Sequence, residues 1–173
     1  MKQLFAFAIM LLALALSAQA ADVFVKLTDV HLCCQSCVKG VQKAVGQVPG
    51  VTAAADMDEG TVSLTGPDTA TVQKAVDALT AAGYFGKSSD PAIKVNADTG
   101  ASDRKVQSLQ VEGVHLCCGK CAKAVNEALA QVPGVTTNTA TKGVKSFTVT
   151  GDFNEQEVFA ALQKAGLTGK VGN

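Results

Sequence analysis

Aromatic residues and charge of either sign are scarce in this sequence. Its 173 residues include no tryptophan, one tyrosine and four prolines, and 15 basic residues balance 15 acidic ones. The charges are scattered, so no basic surface is expected for nucleic acid or another strongly charged partner. The sequence also lacks a Ser-His-Asp set, a glycine-rich phosphate loop and paired carboxylates tied to a pocket. We therefore do not expect an enzyme.

Only one long hydrophobic run is present, and it stands at the N-terminus. Lys2 precedes an almost wholly apolar segment at residues 4–16, and residues 18–20, Ala-Gln-Ala, have the small-x-small pattern that signal peptidase cleaves. A retained membrane anchor is the alternative, but a span needs about 20 apolar residues and this run is shorter. We expect residues 1–20 to be a signal peptide. The mature protein is then periplasmic or secreted, with no stable membrane span.

Cysteine and histidine are few, but they are concentrated in two places. All six cysteines and both histidines fall in HLCCQSC at residues 31–37 and HLCCGKC at residues 115–121. Exported thiols tend to be oxidised to disulfides unless something protects or occupies them. The repeated motif therefore indicates either disulfides or a bound group that both copies hold.

The rest of the chain is repeated as well. QVPGVT at residues 47–52 recurs at residues 131–136, the same offset of 84 that separates the cysteine motifs. In each copy, alternation of period two predicts strands and apolar spacing of three to four predicts helices, in the order βαββαβ. Two helices on one face of a four-stranded antiparallel sheet would bury both apolar stripes. The sequence therefore predicts an α+β protein of two tandem ferredoxin-like domains.

The domain boundaries follow from composition. We place the first domain at residues 21–88, a linker at residues 89–105 and the second domain at residues 106–173. The linker is polar and contains Pro91 and Gly100. The alternative is that residues 92–95 extend the preceding strand.

The CxxC part of each motif stands where the first strand gives way to the first helix. Cys34 and Cys118 precede the helix, while Cys37 and Cys121 fall in its first turn, so both sulfurs of a pair can face one point. The positive end of the helix favours thiolates, and Lys120 adds charge in the second motif. A thiolate pair in this setting suits a soft ion such as Cu(I), Hg(II), Cd(II) or Zn(II).

Four features together resemble a known family. They are the βαββαβ order, the CxxC between the first strand and the first helix, the VPGV after that helix and the AGY after the second helix. Heavy-metal-associated domains have these features, and they occur in copper chaperones, in the periplasmic mercury-binding protein and in the amino-terminal regions of metal-pumping ATPases. The resemblance covers nearly all of the chain after residue 20, as two copies.

The resemblance implies a function and a set of site residues. Its ligand pairs would be Cys34 with Cys37 and Cys118 with Cys121. Cu(I) would be the first expected ion, with Zn(II), Hg(II) or Cd(II) as alternatives, and the partner would be a metal-transporting or metal-accepting thiolate protein. Tyr84 and Lys120 would not be ligands but would lie beside them, with Tyr84 close to the metal loop. The second copy has Leu167 at the place of Tyr84.

Two departures from the family remain open. Cys33 and Cys117 stand where the family commonly has a small polar residue, and His31 and His115 come two residues earlier. They are either ordinary loop residues or accessory ligands. Four donors in seven residues would strain one mononuclear site, because neighbouring side chains diverge. A site shared between two protomers, or a small copper-thiolate cluster, would use Cys33 and Cys117 more naturally.

Two other functions are compatible with the motif. An exported CxxC at a helix start is also how thiol-disulfide oxidoreductases are built. Purely structural disulfides are the third interpretation. Metal capture is favoured because the motif stands where the family has its metal site.

Overall fold

The computed structural model describes residues 21–172. The expected signal peptide, residues 1–20, lies outside the described residues, and export therefore stays a prediction. Within the described part of the chain, none of the helices has the length and apolar character that a membrane span requires.

The first unit has two helices and four strands. Its elements are β1 (Val23–Thr28), α1 (Gln35–Val45), β2 (Thr52–Asp56), β3 (Thr61–Gly66), α2 (Thr69–Ala81) and β4 (Lys87–Ser88). The strands form one sheet in the order β2-β3-β1-β4, and each neighbouring pair is antiparallel.

The second unit repeats this arrangement. Its elements are β5 (Lys105–Glu112), α3 (Gly119–Leu129), β6 (Val135–Asn138), β7 (Ser146–Asn154), α4 (Glu155–Lys164) and β8 (Lys170–Val171). The sheet order is β6-β7-β5-β8, again antiparallel. The α+β fold predicted from the sequence, two ferredoxin-like βαββαβ domains, is confirmed.

Local sequence explains the elements of the first unit. In β1, Val25 and Leu27 are buried on one face of the sheet, whereas Phe24, which precedes them and points to the other face, is 61% exposed. On α1, Val41 and Val45 lie one turn apart and are both buried under the sheet. Asp68 is the N-cap of α2, and its carboxylate accepts a hydrogen bond of 2.7 Å from the backbone N–H of Thr71.

The segment between the domains packs on both of them. Residues 92–95 do not form a strand, so the alternative that they extend β4 is wrong. Ile93 is 2% exposed instead. The backbone N–H of its neighbour Lys94 donates a hydrogen bond to the side chain of Gln73 on α2, and the backbone carbonyl of Lys94 accepts one from it. Farther on, Glu155 at the start of α4 accepts hydrogen bonds from Ser102 and Arg104. These contacts hold the segment against α2 and α4.

A short antiparallel ladder joins the two units. It is centred on a β-bridge between Tyr84 and Leu167. Its backbone hydrogen bonds run in both directions, from Phe85 N–H to Gly166 O (3.1 Å) and from Thr168 N–H to Gly83 O (3.0 Å). The bonds relate equivalent residues of the two repeats, so the units face each other about an approximate twofold axis.

Two glycines make this close approach possible. Gly83 has φ +88° and Gly166 has φ +75°, a conformation that other residues rarely adopt. A Cβ on Gly83 would collide with the carbonyl oxygen of Gly113, and one on Gly166 would collide with that of Asp29. In both cases the collision is with the strand-to-loop backbone of the other unit, immediately before its cysteine motif. The docking of the units therefore brings the two cysteine loops together.

Candidate metal centre

The start of each first helix positions its CxxC pair. Cys34 and Cys118 are the N-cap residues of α1 and α3, with extended backbones. Cys37 and Cys121 are the third residues of these helices and are fully buried. The sulfurs of each pair lie 3.8 Å apart. The local chain thus turns both sulfurs of a pair towards one point at the helix N-terminus.

The two pairs do not form separate sites. Sulfurs of the first loop lie within 4 Å of sulfurs of the second in five pairs: Cys33 to Cys118 (3.4 Å), Cys33 to Cys121 (3.4 Å), Cys34 to Cys117 (3.6 Å), Cys37 to Cys117 (3.6 Å) and Cys37 to Cys121 (3.9 Å). The structure therefore unites both motifs in one centre. Within one chain, Cys33 and Cys117 each contact two sulfurs of the opposite loop.

All six cysteines are free thiols in this structure. Their sulfur separations, 3.4–3.9 Å for the pairs in contact, are far beyond the covalent distance of about 2.05 Å. Cys117 is exposed, Cys33, Cys34 and Cys118 are partly buried, and the other two are buried. One side of the centre is thus open to solvent and the other is closed.

Apolar residues support both loops from below. Leu32 and Leu116, each 5% exposed, belong to the hydrophobic core and stand directly before Cys33 and Cys117. Their burial fixes the chain on one side of each motif, while the helix fixes it on the other.

Crowding of the thiols shifts their pKa values in opposite directions. A hydrogen bond from the Cys121 thiol, with smaller help from His115, lowers the pKa of Cys37 to about 2. The backbone N–H of Cys121 lowers the pKa of Cys118 to about 6. Burial raises the pKa of Cys33 to about 12 and also raises that of Cys117.

The pattern has a simple electrostatic cause. One thiolate is stabilised by donors around it, and each further negative charge is opposed by the first. The Cys121 thiol donates a hydrogen bond to the Cys37 thiolate, and this bond raises the pKa of Cys121. A cation placed among the sulfurs would remove this repulsion, so the donor set fits a thiophilic metal ion.

Tyr84 connects the centre of one unit to the histidine of the other. Its hydroxyl donates to the carbonyl oxygen of Cys37 at 2.8 Å and lies 3.1 Å from Nε2 of His115. The centroids of the two rings lie 4.6 Å apart, and the ring planes are tilted by 30°. Burial raises the pKa of Tyr84. The hydroxyl fits because Gly40 has no side chain, and a Cβ there would collide with it.

His31 has no such partner. The residue that corresponds to Tyr84 in the second unit is Leu167, which carries no hydroxyl. Within residues 21–172, Nε2 of His31 is buried without a hydrogen bond, and burial lowers the pKa of the ring. His31 forms a group with Cys33 and Cys121 whose donor atoms all lie within 4.8 Å of one another.

The structure brings nine of the ten residues singled out from the sequence to this centre. They are the six cysteines, both histidines and Tyr84. The tenth residue, Lys120, has an exposed side chain. Its backbone N–H, not its charge, contributes to the lowered pKa of Cys118. The sequence patterns do not single out Gly40, Gly83 or Gly166 as residues that shape the centre. Of the three, only Gly83 belongs to a recognised motif, the AGY after the second helix.

Comparison with known proteins identifies the domain type. Residues 28–85 match the family model of the heavy-metal-associated domain. Over 140 residues the chain is 33% identical to Copper-transporting ATPase 2 of Rhizobium meliloti (strain 1021), a match that covers 77% of this chain and 14% of that protein. The chain thus contains a heavy-metal-associated domain in its first unit, as predicted, and the second unit repeats its topology and its cysteine motif.

Two solved structures are similar to parts of this chain. One, described as "Crosstalk between Cu(I) and Zn(II) homeostasis", is 27% identical, covers 39% of this chain and 100% of its own, and has a TM-score of 0.34. The other, the N-terminal soluble domains of Bacillus subtilis CopA, is 19% identical, covers 88% of this chain and 95% of its own, and has a TM-score of 0.32. Both TM-scores are low, so the fold and the centre rest on the geometry described above.

Proposed function

We propose that this protein captures a thiophilic metal ion, Cu(I) first, outside the cytoplasm and passes it to a thiolate protein. The observation that carries the proposal is the convergence of six free thiols from two loops at two helix N-termini. Zn(II), Hg(II) and Cd(II) share enough of the chemistry to compete for the same sulfurs.

The distances within each CxxC pair support metal binding. Two metal-sulfur bonds of about 2.3 Å can bridge sulfurs up to about 4.6 Å apart. The pairs Cys34–Cys37 and Cys118–Cys121 are separated by 3.8 Å. One ion therefore fits between the sulfurs of either pair without a change in the backbone.

The electrostatics of the loops support the same function. The first-turn N–H groups and the positive ends of α1 and α3 face the sulfurs, which favours anionic ligands. Further thiolates form only when positive charge enters, because burial, and to a smaller extent repulsion from Cys37, raises the pKa values of Cys33 and Cys117. Binding thus exchanges thiol protons for metal, and affinity falls with falling pH.

Transfer would proceed by ligand exchange at the open side of the centre. Cys117 is exposed, so a thiolate of an acceptor protein can reach an ion bound there. The incoming sulfur forms a bond to the ion as a sulfur of this chain leaves, and the oxidation state does not change. A relative named as a copper-transporting ATPase supports a metal transporter as the acceptor.

Thiol-disulfide exchange is the second candidate. It is supported by the pKa of Cys118, lowered to about 6, and by the sulfur of Cys33 only 3.4 Å away. Catalytic reduction of insulin by the protein would place this function first.

Native mass spectrometry of the anaerobically reduced protein tests the main proposal. The chain from residue 21 is titrated with Cu(I), Zn(II) and Hg(II), beside Cys34→Ser and Cys118→Ser. Ser36→Ala, an exposed substitution in the same loop, is the matched control. We expect Cu(I) to bind to the wild type and the control and less to each cysteine variant. Absence of metal binding in the wild type would contradict the proposal.

A further inference from the structure

The contacts among the six cysteine sulfurs have the connectivity of an octahedron, in which each corner neighbours four others. Nine of its edges measure 3.4–3.9 Å, five of them between the loops and four within them. The other three edges, each no longer than 4.8 Å, are Cys33–Cys34, Cys34–Cys118 and Cys117–Cys118. The three pairs outside these twelve edges, Cys33 with Cys117, Cys34 with Cys121 and Cys37 with Cys118, take the place of opposite corners in this connectivity.

An octahedron has four alternate triangular faces that share corners but no edges. Here they are Cys33-Cys34-Cys118, Cys34-Cys37-Cys117, Cys117-Cys118-Cys121 and Cys33-Cys37-Cys121. The sulfurs of each of the first three faces lie within 4.8 Å of one another. The edges of the fourth measure 3.4, 3.7 and 3.9 Å. In this set every sulfur belongs to two faces, so six sulfurs provide three ligands to each of four ions.

The size of the faces fits three-coordinate metal ions. An ion in the plane of three sulfurs, with bonds of about 2.3 Å, needs those sulfurs about 4.0 Å apart. Three thiolates suit Cu(I), a soft ion, whereas Zn(II) prefers four ligands and would lack one at each face. Small outward shifts of the sulfurs on the shorter edges complete the fit.

We propose that the docked units hold four Cu(I) ions in a single cage with six bridging thiolates, and this inference rests on the proposed function. The cage gives Cys33 and Cys117 a role that a pair of CxxC sites leaves unexplained. Each is a corner of two faces. Three of the four faces combine sulfurs of both loops, so the cage forms only when the two units are docked.

The charges and protons balance without a redox step. Six thiols lose six protons, four Cu(I) ions enter without a change in oxidation state, and the cage carries a net charge of −2. The N-termini of α1 and α3 both face this charge, with Cys34 and Cys118 as their N-cap residues. The fold thus supplies favourable dipoles from two sides.

Copper stoichiometry in the full chain from residue 21 tests the cage. Anaerobic native mass spectrometry during Cu(I) titration is expected to show a four-copper species that dominates at intermediate ratios, since shared sulfurs make binding cooperative. A titration that stops at two coppers per chain would overturn the cage and leave the proposed function standing. Failure to bind copper would overturn the cage, and failure to bind any of the three metals would overturn the proposed function as well.

Variants separate the cage from two independent CxxC sites. Cys33→Ser and Cys117→Ser each remove one corner shared by two faces, so we expect both to lose the four-copper species. Ser36→Ala is the control and keeps it. Retention of two coppers and an unchanged circular dichroism spectrum shows that a variant is folded. Four coppers in both folded cysteine variants would overturn the proposal.

Zinc provides a third arm of the same experiment. Titration with Zn(II) is expected to stop below four ions per chain, because the faces offer only three ligands each. Four Zn(II) ions held as tightly as Cu(I) would contradict the three-coordinate geometry on which the cage depends.

Discussion

Tyr84 of the first unit and His115 of the second are joined by a hydrogen bond of 3.1 Å between the phenol hydroxyl and Nε2. The same hydroxyl donates to the carbonyl oxygen of Cys37 at 2.8 Å. One buried side chain therefore contacts both cysteine loops. The relationship explains how a residue outside the cysteine motifs fixes the position of one loop relative to the other.

Removing the Tyr84 hydroxyl should weaken the docked state. In Tyr84→Phe, the carbonyl of Cys37 and the ring of His115 both lose a partner. We expect the free energy of unfolding of the reduced apoprotein to fall by about 1–2 kcal/mol. Urea denaturation under anaerobic conditions measures this change.

Thr168 offers a matched control for that substitution. Its hydroxyl is buried in the same ladder but has no hydrogen-bond partner within the described residues. Thr168→Val should therefore leave stability nearly unchanged. Equal losses in Tyr84→Phe and Thr168→Val would show that the Tyr84 hydrogen bonds do not stabilise the protein.

A side chain at Gly83 should separate the units. Gly83→Ala strains a residue at φ +88° and drives a Cβ into the backbone of the second unit. Gly143→Ala has the same backbone strain at φ +80°, of about 1–2 kcal/mol, but meets no atom within 4 Å. We expect a larger loss of stability in Gly83→Ala, together with fewer Cu(I) ions per chain. If the two variants retain the same amount of copper, docking of the units is not needed for binding.

Glu155 should stabilise the second unit through its buried carboxylate. Its side chain is 2% exposed and binds Arg104 at 2.7 Å, with two further bonds from Ser102. Glu155→Gln should lower the free energy of unfolding by about 1–3 kcal/mol. Glu157→Gln, on the exposed side of the same helix, is the control and should have little effect.

The effect of Glu155→Gln should depend on pH. Hydrogen bonding to Arg104 lowers the pKa of Glu155 in the folded protein. The carboxylate then stabilises the fold at pH values above the unfolded pKa of about 4.3, and this contribution is lost as the pH falls through the folded pKa. The difference between the wild type and Glu155→Gln should therefore shrink in acid. A difference that stays constant from neutral to strongly acidic pH would contradict this role.

Removal of copper should destabilise the whole chain. A metal that binds only the folded form stabilises it by mass action, by about 4 kcal/mol when the free ion exceeds its dissociation constant a thousandfold. Because the centre joins both units, we expect a Cu(I) chelator to lower the unfolding temperatures of both. Differential scanning calorimetry of loaded and chelated protein measures the shift. A shift confined to one unit would indicate that the metal is held by one loop alone.

Local features of the sequence were enough to predict the fold and the position of each cysteine pair. Period-two alternation in β1, helical spacing through Val41 and Val45, and the cap at Asp68 are all encoded within a few residues of their effect. The location of Cys34 and Cys37 at a helix start follows from the same local pattern.

The union of the two motifs could not be predicted in this way. It depends on the ladder between residues 83–85 and 166–168, which joins segments far apart in the chain. Spacing within either repeat says nothing about it. Tyr84 was expected beside its own metal loop, but its contact with His115 depends on the docked second unit. Ile93 was the largest apolar residue of a segment assigned as linker, and its burial follows only once α2 is in place.

X-ray absorption at the copper edge of the fully loaded protein tests the central claim most directly. The account predicts copper surrounded by three sulfurs, with further copper atoms as near neighbours, in the wild type and in Ser36→Ala. Copper bound by two sulfurs, with no copper neighbour, would contradict the single shared centre and indicate two independent CxxC sites.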